Sequence, residues 1–246
     1  MVKKILIIGG TNEGNKLASF FENHNFDYII SYAGIVEEVY KKTFRKRVGG
    51  FGGRIGILNF IKKNKITHVI DASHPFSSNI SINTFNVCES CNIPIVNFTR
   101  KPWFKMKGDN WIKVKNFDES IKYLKGKPKN VFLAIGKKNL HIYKKCPQNF
   151  YLLRVINKQN IDNFFPNQEY ITYDALYNVE EEIKILKNYK IEIIVSKNSG
   201  GELAYGKIVA ARELKIPVII IARPKSLTLK KVYDLESVLK WLDSNE

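Results

Sequence analysis

The chain has 246 residues, 44% of them hydrophobic, and carries a formal net charge of +17. That length buries one large core or two small ones without disulfide or metal staples. No charged-then-apolar leader and no apolar stretch of bilayer length is visible, so a soluble, cytoplasmic protein is expected.

Strand-like and helix-like segments alternate from the start, the pattern of an α/β protein with parallel sheets. Lys4 to Ile8 reads as a strand, and Gly9-Gly10-Thr11-Asn12-Glu13-Gly14 turns it into a helix with Leu17, Phe20, Phe21 and His24 on one face. This is the context of a dinucleotide fingerprint, but the middle glycine of the usual spacing falls on Thr11. Asn15 stands where a P-loop has lysine, and a plain tight turn is the alternative. Phe26 to Ser31 is a second strand, ending in Ser31-Tyr32-Ala33-Gly34 where such sites often carry an acidic residue. Without that carboxylate a 2′-phosphate is not repelled, which favours NADPH over NADH.

Val48-Gly49-Gly50-Phe51-Gly52-Gly53 is too rich in glycine for a strand or helix interior. It reads as a loop pressed against a ligand, with Phe51 as its anchor. Arg45, Arg47 and Arg54 bracket it, either as forks for carboxylates or as a solvated basic rim. Ile55 to Lys63 is helical, and Thr67 to Ala72 is a third strand ending in Ser73-His74-Pro75-Phe76. His74 either donates a proton near neutral pH or merely holds the turn. A helix to about Glu89 and a strand from Ile93 to Phe98 close a first domain, residues 1–98. Cys88 and Cys91 form a Cys-x-x-Cys pair late in that helix, the wrong end for a redox thiol, with no nearby partners for zinc.

Residues 99–112 lose all periodicity and read as a crossover, which leaves 113–246 as a second domain. Its strands fall near Val131 to Ile135, Tyr151 to Val155, Ile191 to Ser196 and Val218 to Ile221, with helices between. Asp234 to Leu242 is a closing amphipathic helix. The strand ending at Ser196 runs into Lys197-Asn198-Ser199-Gly200-Gly201, with a helix expected at once. At the carboxyl end of a parallel strand, these residues offer an anion a charge, two polar side chains and bare backbone. A helix N-cap at Ser199 is the plainer reading.

Of the forty basic residues thirty-three are lysine, the mark of compositional drift and solvated helix faces rather than of phosphate reading. The field still draws in acidic small molecules. There is no Ser-His-Asp order, no His-Glu-x-x-His and no suitably spaced carboxylate pair, so hydrolytic and metal-dependent chemistry are disfavoured and no metal site is expected.

Taken in order over almost the whole chain, a set of motifs resembles the precorrin-6A reductases of corrin (cobalamin) biosynthesis, the cobalt-precorrin-6A form included. They are Gly9-Gly10-Thr11-x-Glu13-Gly14, Ser31-x-Ala33-Gly34, Val48-Gly49-Gly50-Phe51-Gly52-Gly53, Asp71-Ala72-Ser73-His74-Pro75-Phe76 and Arg100-x-Pro102-Trp103. Further on come Ile135-Gly136, Ser196-Lys197-Asn198-Ser199-Gly200-Gly201, Lys207-x-x-Ala210-Ala211-Arg212 and Arg223-Pro224. Departures are Ser73 and Ser196 for the family's usual threonines, Ser77 for alanine and Lys137 for arginine.

The resemblance implies two Rossmann-like domains with parallel sheets and a cleft between them. It implies hydride transfer from NADPH or NADH to a conjugated carbon of (cobalt-)precorrin-6A, giving the 6B product. Gly10, Thr11, Glu13, Gly14, Ser31, Lys197, Asn198, Ser199, Gly200 and Gly201 are then expected at the cofactor, with a carboxylate of the ring as the alternative ligand of the 197–201 turn. Arg45, Gly50, Phe51, Gly52, Arg100, Trp103, Lys137 and Lys138 are expected at the polycarboxylate, tetrapyrrole-derived substrate, with His74 as proton donor. No membrane or nucleic-acid partner is expected, and a monomer is a plausible state. The rival readings are a two-domain nucleotide-sugar transferase and a basic nucleic-acid-binding protein, although no helix-turn-helix, RNP-like or zinc-finger pattern supports the latter.

Overall fold

The computed structural model describes residues 3–34, 44–155, 163–172, 178–224 and 229–245. The chain begins with β1 (Lys4–Ile8), α1 (Asn12–Asn23), β2 (Asp27–Tyr32), β3 (Lys46–Val48), α2 (Gly53–Asn64), β4 (His68–Asp71), α3 (Ser78–Ser90) and β5 (Ile95–Phe98). Next come β6 (Trp111–Val114), α4 (Phe117–Ser120), β7 (Asn130–Ala134), β8 (Phe150–Val155) and β9 (Gln168–Thr172). α5 (Val179–Asn188), β10 (Ile193–Lys197), α6 (Gly206–Glu213) and β11 (Val218–Ile221) follow, then β12 (Lys231–Val232) and α7 (Leu235–Asp243). Short 3-10 helices span Ile121–Tyr123 and Lys137–Lys145.

Two compact units result, Met1–Lys101 with Lys225–Glu246, and Pro102–Pro224. Each holds a six-stranded sheet whose strand pairs are all parallel. The first runs β3-β2-β1-β4-β5-β12 and the second β9-β8-β7-β10-β11-β6. In both, the order reverses beside the strand that starts the winding, β1 in the first and β7 in the second, as in a doubly wound dinucleotide-binding sheet.

Strands buried on both faces read as continuous apolar runs, and β1 shows why. Ile5 and Ile7 point into the layer holding Leu17, Phe21, Tyr28 and Trp241. Leu6 and Ile8 point into the opposite layer of Ile57, Ile61, Val87 and Cys88. Each such side chain contributes about 1.5–3 kcal/mol by leaving water. In the second unit Arg154 of β8 and Glu182 of α5 form a two-pronged ion pair at 2.6 and 2.9 Å, with side chains only 9% and 4% exposed.

The expected domain limits need correction. The final segment belongs to the first unit and not to a domain 113–246, because β12 pairs in register with Asn97 and Phe98 of β5. The apolar face of α7 (Val238, Trp241, Leu242) is buried in the first unit's core. The stretch 99–112 also holds Trp111 and Ile112, the first two residues of β6. Nor does a helix follow Lys197 at once: α6 starts at Gly206 behind Tyr205, so Ser199 is not its N-cap.

Cys88 is buried in the last turn of α3, and burial pushes its thiol up to about 12, the opposite of what a redox thiol needs. Among the described residues no helix is long and apolar enough to cross a membrane. No group of three or more His, Cys, Asp or Glu among them is arranged to hold a metal.

Candidate functional site

In a doubly wound sheet, ligands bind outside the carboxyl ends of the strands where the winding reverses. In the first unit that point lies between β1 and β4, so the turns after Ile8 and Asp71 meet there. Gly9 donates its N–H to the Ser31 carbonyl at 2.9 Å. Gly10 has φ +117, and a Cβ built on it would meet nothing within 4 Å, so bare backbone faces outward.

Thr11 answers the irregular glycine spacing. Its Oγ1 accepts from Gly14 N at 3.2 Å, capping α1, and donates to the Ala72 carbonyl at 2.7 Å. The side chain is tied down onto the residue that follows β4. Gly14 gives the close helix approach, since a Cβ there would sit 3.3 Å from that of Ala72. Asn15, in the place of a P-loop lysine, accepts from the Tyr32 hydroxyl at 2.6 Å. Glu13, in the first turn of α1, is ion-paired to Arg100 at 3.1 Å, which offsets the negative charge it brings to a helix N-terminus.

At the end of β2, Ser31 lies beside Ile8 on one side and Arg47 on the other. Arg47, one of the three arginines that bracket the glycine loop, is not among the residues expected at cofactor or substrate. Its Nη1 donates to Ser31 Oγ at 2.7 Å and its Nη2 to the Gly50 carbonyl at 3.1 Å. The guanidinium lies 4.0 Å over the Phe51 ring, whose ring in turn meets Phe60 edge-on at 5.4 Å. Desolvation by burial lowers the Arg47 pKa from its ordinary value. Arg45 is not brought to this point: its side chain is 59% exposed and its Nη1 lies 3.8 Å from Asp27, at the amino end of β2. Gly50 and Gly52 have open space where a side chain would stand, and Gly52 precedes α2 with φ +79.

His74 holds its turn, its carbonyl accepting from Ser77 N at 2.7 Å and its Nδ1 from Phe76 N at 3.2 Å. With Nδ1 accepting, the neutral ring carries its proton on Nε2. Asp71, wholly buried, fixes the start of the turn by accepting from Ser73 N at 3.0 Å.

In the second unit the order reverses between β7 and β10, where Lys197 ends its strand. Beyond β7, Gly136 (φ +69) leads into the 3-10 helix that starts at Lys137. Burial first, and then the charge of Lys138, lower the Lys197 ammonium to about 8. Its Nζ lies 5.8 Å from the Phe117 ring. Gly200 and Gly201 both take left-handed backbone, φ +71 and +72.

Other polar groups of this turn bond to Trp103 and Arg223. Asn198 Oδ1 accepts from Trp103 N at 2.8 Å while its Nδ2 donates to Trp103 O at 3.0 Å. Trp103 Nε1 donates to Gly201 O at 2.6 Å. Arg223, which lay in a motif but was given no role, donates Nε to Asn198 O and Nη2 to Ser199 O, both at 3.0 Å. Lys207, buried, donates to Ala204 O with its ammonium 5.0 Å from the Trp103 ring. Asn198 and Trp103 thus build the turn that presents Lys197.

Two doubly wound sheets, each with glycine turns and cationic side chains at its reversal point, define a protein of the dinucleotide-fold class. The model of the family described as Precorrin-6x reductase CbiJ/CobK matches residues 4–243, and the chain belongs to that family. It is 34% identical over 239 residues to a precorrin-6A reductase of Rhodobacter capsulatus, covering 97% of this chain and 95% of the relative. A cobalt-precorrin-6A reductase of Methanocaldococcus jannaschii is 27% identical over 248 residues, covering 97% of each. A solved structure described as CobK precorrin-6A reductase superposes with a TM-score of 0.93 at 33% identity, covering 99% of this chain and 97% of that one. The protein is accordingly an oxidoreductase of cobalamin biosynthesis, which displaces the sugar-transferase and nucleic-acid readings.

Proposed function

We propose that the protein reduces precorrin-6A, or its cobalt form, to the 6B product with NADPH as the reductant. The observation that carries the choice of cofactor is the pairing of Ser31 with Arg47 at the end of β2. A carboxylate there would hold a ribose 2′-hydroxyl, whereas an arginine fork takes a 2′-phosphate. NADPH supplies the hydride when bound.

The chain's own residues bind, orient and screen. The outward backbone of Gly10 and the first turn of α1, capped by Thr11, suit a pyrophosphate. Arg100 neutralises Glu13 so that this end of the helix stays receptive to phosphate. Lys197 and Lys138 suit a carboxylate of the macrocycle, with the 198–201 turn as their frame. His74, once protonated to the imidazolium with loss of the Phe76 N–H bond to its Nδ1, donates the Nε2 proton to the atom beside the one that takes the hydride and returns to the neutral ring, so the macrocycle gains two hydrogens in all. No protein nucleophile is required, which is why catalytic motifs are sparse in the chain.

The test is anaerobic incubation with each nicotinamide and with metal-free or cobalt-bearing macrocycle, following nicotinamide absorbance and product mass. NADPH should be consumed with a two-hydrogen mass gain. Absence of both, with either macrocycle, sinks the proposal; equal use of NADH removes the role given to Arg47.

A further inference from the structure

We propose that Gly56 is a positioning residue for the cofactor's 2′-phosphate, acting through Phe51 on Arg47. The inference rests on the NADPH reading and adds the element that holds its key arginine in place.

Gly56 lies inside α2, where glycine costs about 1 kcal/mol relative to alanine. Its reason is space. A Cβ built there would lie 2.6 Å from the Phe51 carbonyl carbon and closer still to its oxygen, well under the 3.0 Å that real Cβ atoms respect. Both partners are backbone, so no side-chain rotation relieves the overlap. The Phe51 carbonyl therefore rests against the bare Cα of Gly56.

The loop glycines differ in kind. Gly49, Gly52 and Gly53 have positive φ of 111, 79 and 83, while a Cβ on Gly50, Gly52 or Gly53 would meet nothing within 4 Å. They let the chain turn, and Gly56 gives the turned loop its seat.

Phe51, seated in this way, holds its ring against Phe60 and 4.0 Å beneath the Arg47 guanidinium. Arg47 also donates to Gly50 O of the same loop and to Ser31. A displaced Phe51 carbonyl shifts both the ring under Arg47 and the neighbouring Gly50 acceptor. Arg47 then loses the fixed orientation that a phosphate fork requires.

The experiment titrates NADPH, NADH, adenosine 2′,5′-bisphosphate and AMP into the protein without macrocycle, by calorimetry. The proteins are wild type, Arg47→Gln, Gly56→Ala and Phe51→Leu, with circular dichroism and melting as folding controls. Arg47→Gln should weaken NADPH and the bisphosphate about 10- to 100-fold, the range for hydrogen bonds to a charged group, and leave NADH and AMP nearly unchanged. Gly56→Ala should reproduce that selective loss by at least about tenfold, and Phe51→Leu should show a smaller loss of the same kind. Selective loss in Arg47→Gln with wild-type discrimination in folded Gly56→Ala overturns the inference and leaves the NADPH reading standing. Unchanged discrimination in Arg47→Gln overturns that reading and the inference with it. If Gly56→Ala does not fold, Phe51→Leu decides, and wild-type discrimination in it overturns the inference.

Discussion

Replacing Lys197 by methionine should make the protein more stable at neutral pH, and by an amount that depends on pH in a defined way. In the folded protein the ammonium titrates near 8, lowered from 10.5 chiefly by burial and secondarily by Lys138. At pH 7 it is charged in both folded and unfolded states. Keeping it charged in the fold costs the free energy of that gap, about 3 kcal/mol at about 1.36 kcal/mol per unit. Methionine keeps the length of the stem beside Phe117 and removes the charge. Between pH 8 and 10.5 the unfolded chain binds the proton and the folded chain does not, so wild-type stability rises with pH through this window relative to the variant. The advantage of Lys197→Met, up to about 3 kcal/mol at pH 7, should therefore shrink above pH 8 and vanish by about 10.5. Urea unfolding at pH 7, 8.5 and 10 measures it, with Trp103 and Trp111 reporting from the same unit. Taking the difference between the two proteins cancels the titration of the buried tyrosines. A variant no more stable at pH 7, or with an advantage that does not change with pH, refutes the reasoning. The stabilised variant should also bind the macrocycle more weakly, as expected where a site keeps a charge at the expense of stability.

Three further outcomes are expected. Glu182→Gln strands the Arg154 guanidinium in a dry layer and should cost about 3–5 kcal/mol in urea unfolding, whereas the apolar pair Arg154→Met with Glu182→Leu should cost far less. Thr11→Val removes both the cap on Gly14 and the tie to Ala72 and should lose about 1–2 kcal/mol, read by thermal melting, while Thr11→Ser keeps both bonds and most of the stability. Trp241→Ala should cost about 3–5 kcal/mol and loosen β1 and β5, because its ring belongs to the first unit's core; faster hydrogen exchange in β1 and β5 with the second unit's strands unchanged would support this, and unchanged protection of β1 would contradict it.

Legibility in the sequence followed burial. β1, β10 and β11 carry the continuous apolar runs 5–8, 193–195 and 218–221 because both of their faces are covered, and they stand close to where expected. β3 reads Lys-Arg-Val and is an edge strand with one residue exposed, so neither apolarity nor alternation marks it. β12 is two residues long and has no period at all. Patterning also says nothing about which sheet a strand joins, so the return of the C-terminal segment to the first unit was hidden. At the site, the glycine turns were visible because backbone of positive φ leaves a compositional trace. The different surroundings of Arg45 and Arg47 were not, since only the register that sets Ser31 beside Arg47 separates two arginines a residue apart. The bonds between Trp103 and Asn198 join positions 95 apart in the chain, and no local pattern announces them.

The same hidden return sets an order of assembly. All six strands of the second sheet, β6 to β11, lie in the continuous stretch Pro102–Pro224, so that unit has every strand once this stretch exists. The first unit has only five by Phe98. Until β12 arrives, Asn97 N and Thr99 N lack the Lys230 and Val232 carbonyls that accept from them, and β5 is a bare edge. The layer containing Phe21, Tyr28 and Phe98 likewise lacks Val232, Val238 and Trp241. An unpaired edge beside uncovered apolar surface is the hazard of partly folded chains. During synthesis the unit that starts first is therefore finished last, and damage to the C-terminal segment falls on the edge of β5 and on the apolar layer that holds Phe21 and Tyr28, near the opposite end of the chain.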